Sequence, residues 1–333
     1  MVSIRYHHRH FYTVTKHDVP LLFREAHVDT GFRPLHKPWS FYLKSIFYLH
    51  NECMNVWTHL IAFVLTSLQL HQYSYELDFV NDPYTWPMLA GLICGIALYL
   101  CSSLAHCCQS KSELVHYVAF MIDYAGIGLY GLGSVIVHLQ YCCEEDFFNA
   151  VQRFYIPLGG TIAFLICYCC TIAKVTYSRP YPFARKLWQI TPVMCIYVVL
   201  ISPIVHRLHA CYVHGIDCTE SVPYHVQQII WFFISGFFFA SDIPQRWYPS
   251  KFDIFLHSHQ LFHIAIAICT LVQMHGVLVD YHTRQAFIRA RPEPTLMSAF
   301  GPVVFVVTME AACIIYFAVR IARRLKEVNK KKE

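Results

Sequence analysis

The chain of 333 residues is 56% hydrophobic and only 14% charged, and its mean hydropathy is +0.39. Ordinary soluble domains carry about a quarter charged residues, so this composition excludes soluble enzymes, disordered proteins and fibrous proteins. The net charge of +5 lies mostly in segments that flank apolar stretches, where it would attract anionic lipid headgroups, and it indicates no nucleic-acid partner. The sequence therefore predicts an all-α, polytopic membrane protein.

Eight apolar stretches are long enough for a transmembrane helix, which needs about 20 residues to cross a hydrocarbon core of about 30 Å. The predicted spans are residues 52–71, 86–106, 114–138, 154–175, 188–206, 225–241, 256–278 and 297–319. The third span carries Gly126, Gly128, Gly131 and Gly133, small residues that permit close helix packing in lipid. We predict a helical bundle with a seven-helix core and an eighth, C-terminal transmembrane helix.

The polar residues before the first span contain no cleavage site after an apolar core, so the first span is predicted to serve as its own insertion signal. Basic residues stay on the cytoplasmic side of short loops, and with a cytosolic N-terminus 21 of the 26 Lys and Arg lie on that side. We predict three regions: a cytosolic N-terminal tail with an interfacial segment at 1–50, a transmembrane bundle at 51–319, and a basic cytosolic tail at 320–333.

The 15 cysteines are odd in number and scattered along the chain, so they do not form a disulfide framework. Most of them are expected to be small apolar packing residues. Four fall in predicted outer loops, where an oxidising compartment would permit a bridge; these are Cys142, Cys143, Cys211 and Cys218.

Ionisable residues within a membrane span cost a few kcal/mol each, which makes every one of them a candidate for function. The candidates are His59, His106, Asp123, His138, His259, His263, His275 and Glu310. Four of these converge at the inner-leaflet level. His106 ends the second span at the inner face, Asp123 lies about 14 Å into the third span, and His259 and His263 occupy the first two turns of the seventh.

The spacing of these four residues indicates a metal site. His259 and His263 are four residues apart, so both imidazoles leave the same helix face. A third imidazole from His106 would complete a three-histidine set, in which zinc keeps an open fourth position. Asp123 would then orient or deprotonate a water at that position, and Ser102, one turn before His106, points to the same place.

The other ionisable residues in the spans have no such group of neighbours at the same depth. His59, His138 and His275 are interpreted as interfacial or hydrogen-bonding histidines. Glu310 lies near the middle of the eighth span, and no basic residue is predicted at its depth.

Five motifs then occur in order along the chain. They are E-A-H-V-D-T-G-F-R-P at Glu25–Pro34, H-N-E-C-M-N-V-W-T-H-L at His50–Leu60, S-S-L-A-H at Ser102–His106, F-M-I-D-Y-A-G-I-G around Asp123, and S-H-Q-L-F-H at Ser258–His263. Together they resemble the motifs of the progestin and adipoQ receptor family, over about residues 18–325. The segments H-K-P-W and N-D-P-Y-T-W-P-M-L, together with the eighth helix, resemble the membrane progestin receptor branch of that family.

This resemblance implies a Zn²⁺ bound by His106, His259 and His263, with Asp123 near its water and Ser102 beside it. It also relates the chain to zinc-dependent membrane hydrolases similar to ceramidases. One departure is Gln245 in I-P-Q-R-W, where the family usually has Glu. An ion pair with the following Arg in the inner loop is therefore expected to be missing.

Three functions follow from these expectations. The resemblance implies a plasma-membrane steroid receptor, for progestins, that signals to heterotrimeric G proteins or kinases. The predicted zinc site favours an alternative, a ceramidase-like lipid amide hydrolase with Asp123 and Ser102 as its catalytic residues. In the third, zinc only ties the second, third and seventh spans together. Composition and periodicity identify no steroid pocket, although an apolar bundle with the aromatic-rich spans 6 and 7 is compatible with a sterol or an acyl chain as ligand.

Overall fold

The computed structural model describes residues 12–179, 181–216 and 218–331. Across these residues the secondary structure is helical, apart from an isolated bridge between Val14 and Phe32. Eight helices are long: α2 (Cys53–Tyr73), α3 (Trp86–Cys108), α4 (Glu113–Val137), α6 (Tyr155–Thr176), α7 (Phe183–His214), α8 (Val222–Ser241), α9 (Ser258–Thr283) and α11 (Leu296–Lys330). Three are short: α1 (Trp39–Ser45), α5 (Glu145–Val151) and α10 (Gln285–Ala290). The predicted helical membrane bundle is confirmed.

Each predicted span corresponds to one long helix. Seven of them, all except α8, are long and apolar enough by length and composition to cross a membrane. The first two turns of α8 hold His225, Gln227 and Gln228, which lower the mean hydropathy of the helix.

Helix α8 nevertheless runs antiparallel to α9 along its whole length. Near the start of α8 the Tyr224 ring lies 4.6 Å from that of His275, near the end of α9. Near the end of α8 the Phe239 ring lies 5.3 Å from that of Phe262, near the start of α9. The two helices therefore cover the same depth, and α8 fits the position of an eighth span.

Helix α4 is the centre of the bundle and α11 its periphery. Within the most apolar stretch of each helix, 72% of α4 is buried in the protein, against 17% of α11. Glycines allow the close approach to α4: a Cβ on Gly128 would lie 2.5 Å from the carbonyl oxygen of Ala163 in α6. The helix then continues through a single π turn, His138–Cys142. This arrangement agrees with a core to which the last helix is added.

Helix α11 does not end at residue 319, where the membrane-spanning part was predicted to end. It continues to Lys330, and its 35 residues reach about 52 Å at 1.5 Å per residue. That length exceeds a hydrocarbon core of about 30 Å. The basic residues from Arg320 onward therefore continue the helix beyond the membrane thickness.

The segment before α2 packs across the predicted inner end of the bundle. Val19, Phe23, Val28 and Phe32 form a small apolar cluster of their own. The backbone N–H and hydroxyl of Thr30 both donate to Asp253, in the loop before α9, at 2.8 and 2.7 Å. This segment joins the inner ends of helices that are distant in sequence. Residues 1–11 of the predicted N-terminal tail lie outside the described residues.

Candidate metal centre

Three histidines meet where the end of α3 faces the start of α9. The nearest ring nitrogens of His106, His259 and His263 all lie within 4.8 Å of one another, and Nε2 of His259 is 3.2 Å from Nε2 of His106. His106 and His263 are buried and His259 is partly exposed. Zinc binds imidazole nitrogens at about 2.0–2.1 Å in tetrahedral sites. The cluster is therefore the right size and chemistry to hold a metal ion, and its three histidines are those predicted from the sequence.

The opposite ring nitrogens of two of these histidines are held by residues at the start of α2. Nδ1 of His106 lies 2.7 Å from Oε2 of the buried Glu52, and Nδ1 of His263 lies 3.0 Å from Oγ1 of Thr58. In metal sites, such contacts leave the other ring nitrogen free to bind the ion and raise its basicity. Helical spacing missed both residues, although both belong to the motif at His50–Leu60.

Two polar side chains fix the helix ends that carry the histidines. Arg33 is buried and donates to the carbonyl oxygens of His106 and Cys107, both at 2.7 Å. Gln245 accepts from the backbone N–H of Ser258 at 2.8 Å and donates to its hydroxyl at 2.7 Å. Gln245 was expected only to lack an ion pair. Instead, its amide caps the first turn of α9, just before His259.

Asp123 and Ser102 lie beside the three-histidine cluster. The Asp123 carboxylate interacts electrostatically with His106 and with the Ser102 hydroxyl nearby. Both residues are buried, one on α4 and the other on α3. Asp123 is absent from the set of mutually close ligand atoms. Its position suits a group that holds or moves a proton rather than a metal ligand.

Glu25 faces the centre from the segment before α2. Its carboxylate lies 3.0 Å from Nη2 of Arg179. Burial raises the pKa of this carboxyl, but the charge of Arg179 and the nearby His257 and His259 lower it by more. The pKa of Glu25 is therefore below its ordinary value. A negative charge therefore faces the histidines from the predicted cytosolic side.

His59 was interpreted as a histidine apart from the three-histidine cluster, and this interpretation is wrong. Its ring stacks on that of His263, with 3.5 Å between the centroids and 16° between the planes. His59 is 2% exposed, and neither of its ring nitrogens has a hydrogen-bond partner among the described residues. Depth along α2 could have linked His59 to the centre, because the residue lies one turn after Asn55 and next to Thr58.

A second cluster occurs at the predicted outer end of the bundle. Ligand atoms of Cys142, His225 and Asp280 also lie within 4.8 Å of one another. Both oxygens of Asp280 are already engaged, one by Arg207 at 2.7 Å and Ser221 at 2.5 Å, the other by His225 at 2.7 Å. A cation here would compete with the guanidinium of Arg207. We therefore interpret the cluster as a buried ion-pair network that joins α7, α8 and α9.

A disulfide closes the predicted outer loop next to this network, between Cys211 and Cys218. Both are among the four cysteines for which a bridge was considered. Cys142 and Cys143, which were predicted to lie in an outer loop, are instead buried at the end of the π turn that follows α4.

The remaining membrane candidates have separate surroundings. Nδ1 of His138 lies 2.6 Å from the carbonyl oxygen of Leu200 and its Nε2 lies 2.9 Å from Nε2 of Gln273, so His138 is a hydrogen-bonding histidine as expected. Glu310 packs against Gly128 of α4, and neither of its carboxylate oxygens has a hydrogen-bond partner among the described residues. Its role has no physical account from these contacts.

Comparison with known proteins gives a consistent result. A family model described as Haemolysin-III related matches residues 47–274. Membrane progestin receptor alpha-B of Danio rerio is 35% identical over 316 residues, which cover 95% of this chain and 89% of that protein. Membrane progestin receptor beta of Mus musculus is 36% identical over 324 residues, covering 96% and 90%. The Homo sapiens receptor beta is 38% identical over 285 residues, covering 85% and 80%.

Proposed function

Because the chain belongs to the Haemolysin-III-related family, and to the membrane progestin receptor branch of the progestin and adipoQ receptor family, we propose that this membrane receptor binds progestins at the plasma membrane. The observation that carries the proposal is an identity of 33–38% to relatives named membrane progestin receptors. The matches extend over 82–96% of the chain, so they include most of the bundle rather than one motif.

Ligand binding tests this proposal directly. Membranes from cells that express the chain should bind tritiated progesterone saturably, and unlabelled progesterone in excess should displace it. Membranes from non-expressing cells serve as the control, and surface labelling establishes that the chain has reached the plasma membrane. No specific binding at normal surface expression would refute the progestin receptor.

Signalling to a heterotrimeric G protein or a kinase belongs to the same proposal. The supporting feature is the exposed, basic end of α11, from Arg320 to Lys330, which would lie on the cytosolic side in the predicted orientation. Progesterone should stimulate binding of GTPγS in membranes that contain the chain and a G protein. If progesterone binds but GTPγS binding does not rise with any G-protein class, signalling to G proteins is refuted. Kinase activation is then the remaining form of signalling to measure.

We also propose that the three-histidine cluster holds zinc. His106, His259 and His263 supply three neutral nitrogen donors, a set used by catalytic zinc sites that leave one position open. When bound there, zinc would act as a Lewis acid and lower the pKa of a water. Glu52 and Thr58 would orient the imidazoles through their Nδ1 atoms. The proposal is thus supported by the contacts that orient the imidazoles as well as by the short distances between the three ring nitrogens.

A second candidate function is hydrolysis of a lipid amide such as ceramide. It is favoured by Asp123 and Ser102, two buried polar side chains that interact with each other and, through Asp123, with His106. In this reaction water forms the new bond to the carbonyl carbon, the C–N bond breaks, and Asp123 transfers a proton to the leaving amine nitrogen.

The Asp123→Asn variant separates hydrolysis from a structural role of the metal. If Asp123 moves the proton, the variant retains zinc and loses release of sphingoid base from ceramide. Unchanged release would contradict this mechanism. A purely structural zinc predicts that no hydrolysis occurs in the wild type and that loss of His259 or His263 lowers thermal stability and ligand binding together.

A further inference from the structure

His59 is a buried polar side chain that no contact within the described residues explains. It is 2% exposed, and both of its ring nitrogens lack a hydrogen-bond partner there. An unpaired buried polar group costs about 1–3 kcal/mol, and such a group in a native fold calls for a missing water, ion or ligand. A leucine or phenylalanine would fill the same space without that cost.

The location of His59 indicates what its partner is. Its ring stacks on that of His263, with 3.5 Å between the ring centroids, so the two imidazoles are in face-to-face contact. His59 is not part of the mutually close set formed by His106, His259 and His263. His59 therefore lies next to the three proposed metal ligands without being one of them. A group bound at the open position of the metal would lie near its ring.

The neighbours of His59 continue this polar character toward the middle of the bundle. The ring of Tyr99 meets His59 edge-on at 5.2 Å, and Tyr99 is fully buried. Thr66, two turns after His59 on the same face of α2, is also fully buried, and its hydroxyl lacks a partner among the described residues. Unpaired polar atoms are thus grouped on one side of the histidine cluster, between α2 and α3.

We propose that His59 is a ligand-recognition residue of the metal centre, and that it hydrogen-bonds the hydroxyl or carbonyl oxygen of the lipid that reaches the open position. This inference rests on the proposed zinc centre and specifies the chemistry of its ligand. A neutral imidazole offers one donor and one acceptor, which suits an oxygen group and gives no benefit to a hydrocarbon chain. His59 supplies no bond to the metal itself.

The experiment uses the full chain, purified in detergent and loaded with Co²⁺, whose visible absorption reports on its ligands. The probe is acetohydroxamate, which carries a carbonyl and a hydroxyl oxygen. The His59→Phe variant keeps a ring on His263 and removes both nitrogens. His59→Gln keeps a donor and an acceptor, and His275→Phe is the matched control, since His275 lies on α9 but is exposed.

We expect all variants to bind one equivalent of Co²⁺. Loss of one hydrogen bond should weaken acetohydroxamate about tenfold in His59→Phe, whereas His59→Gln recovers most of the affinity and His275→Phe leaves it unchanged. Equal affinity in wild type and His59→Phe overturns the inference. Loss of Co²⁺ in both His59 variants also overturns it, because His59 would then support the metal rather than the ligand.

The zinc proposal has a different failure. If the wild-type chain binds no Co²⁺, both the metal centre and this inference are wrong. If Co²⁺ binds and the probe does not discriminate His59→Phe, only this inference is wrong. Thermal unfolding of the metal-free chain adds an independent readout: replacement of unpaired nitrogens by Phe should leave the midpoint unchanged or raise it, and a lowered midpoint would indicate a packing role instead.

Discussion

The Glu52→Gln substitution should weaken zinc binding although Glu52 touches no metal. Its Oε2 lies 2.7 Å from Nδ1 of His106, and the side chain of Asn55 donates to the same oxygen at 2.8 Å. Glutamine has the same shape and still offers a carbonyl oxygen. The substitution therefore removes the negative charge from this contact and leaves its geometry in place.

The magnitude follows from the difference between a charged and a neutral acceptor. A hydrogen bond to a charged group contributes about 1.5–3 kcal/mol, against about 0.5–1.5 kcal/mol for a neutral one. The change is then roughly 1–1.5 kcal/mol, which is about tenfold in Kd. Glu52→Ala removes the contact altogether and should approach the upper end of the 10–100-fold loss found for partners of metal-bound histidines.

Competition of the purified protein with a fluorescent zinc chelator gives these affinities. The matched control is Glu76→Gln, because Glu76 follows the other end of α2 and forms an exposed pair with His282 at 3.3 Å. We expect Kd to rise about tenfold for Glu52→Gln and to stay within error for Glu76→Gln. An unchanged Kd in Glu52→Gln, or an equal rise in both variants, would refute the role of Glu52 in orienting His106.

Three further predictions concern stability, measured by thermal or denaturant unfolding in detergent. Gly128→Ala should lower the free energy of unfolding by about 1–3 kcal/mol, because its Cβ would lie 2.5 Å from a carbonyl oxygen of α6. Gly236→Ala, where nothing lies within 4 Å, should leave the free energy of unfolding unchanged or raise it by up to about 1 kcal/mol. If both substitutions lowered it or both raised it, the close packing against α4 would be contradicted. Asp280→Ala should lower the free energy of unfolding by about 3–5 kcal/mol. Zinc affinity should not change, because Asp280 lies about 30 Å along α9 from His259. A parallel loss of zinc affinity would show that the two ends of the bundle are coupled. Zinc at a hundredfold excess over its Kd should raise the unfolding free energy by about 2.7 kcal/mol, and no rise would mean that the folded chain has no preferential zinc site.

Much of the fold follows from hydropathy and charge because lipid imposes simple requirements on length. The predicted spans match the long helices, with differences at their ends, as in α7, which begins at Phe183 and ends at His214. Polar residues in the first two turns of α8 lower its mean hydropathy, and its packing against α9 shows that it covers the same depth as that helix. The extension of α11 beyond residue 319 was also missed, since hydropathy marks the membrane boundary and not the end of a helix.

The candidate site could be predicted in part, since basic residues fix depth and helical spacing fixes a face. These two constraints bring His106, His259 and His263 together. They do not determine how each helix is rotated toward its neighbours, so the stacking of His59 was missed. Glu52 and Gln245 were missed for a related reason: Glu52 is the first residue of the predicted first span and precedes α2, and Gln245 lies in the loop between α8 and α9, so helical period assigns neither of them a face.

The central claim is that three histidines from two helices form a zinc site, and the metal content of the purified chain tests it most directly. Wild type, His263→Ala and the control His275→Ala should be purified without added zinc and measured by inductively coupled plasma mass spectrometry. We predict close to one zinc per chain in wild type and His275→Ala, and little or none in folded His263→Ala. Wild-type protein without zinc, or His263→Ala that retains it fully, would contradict the account.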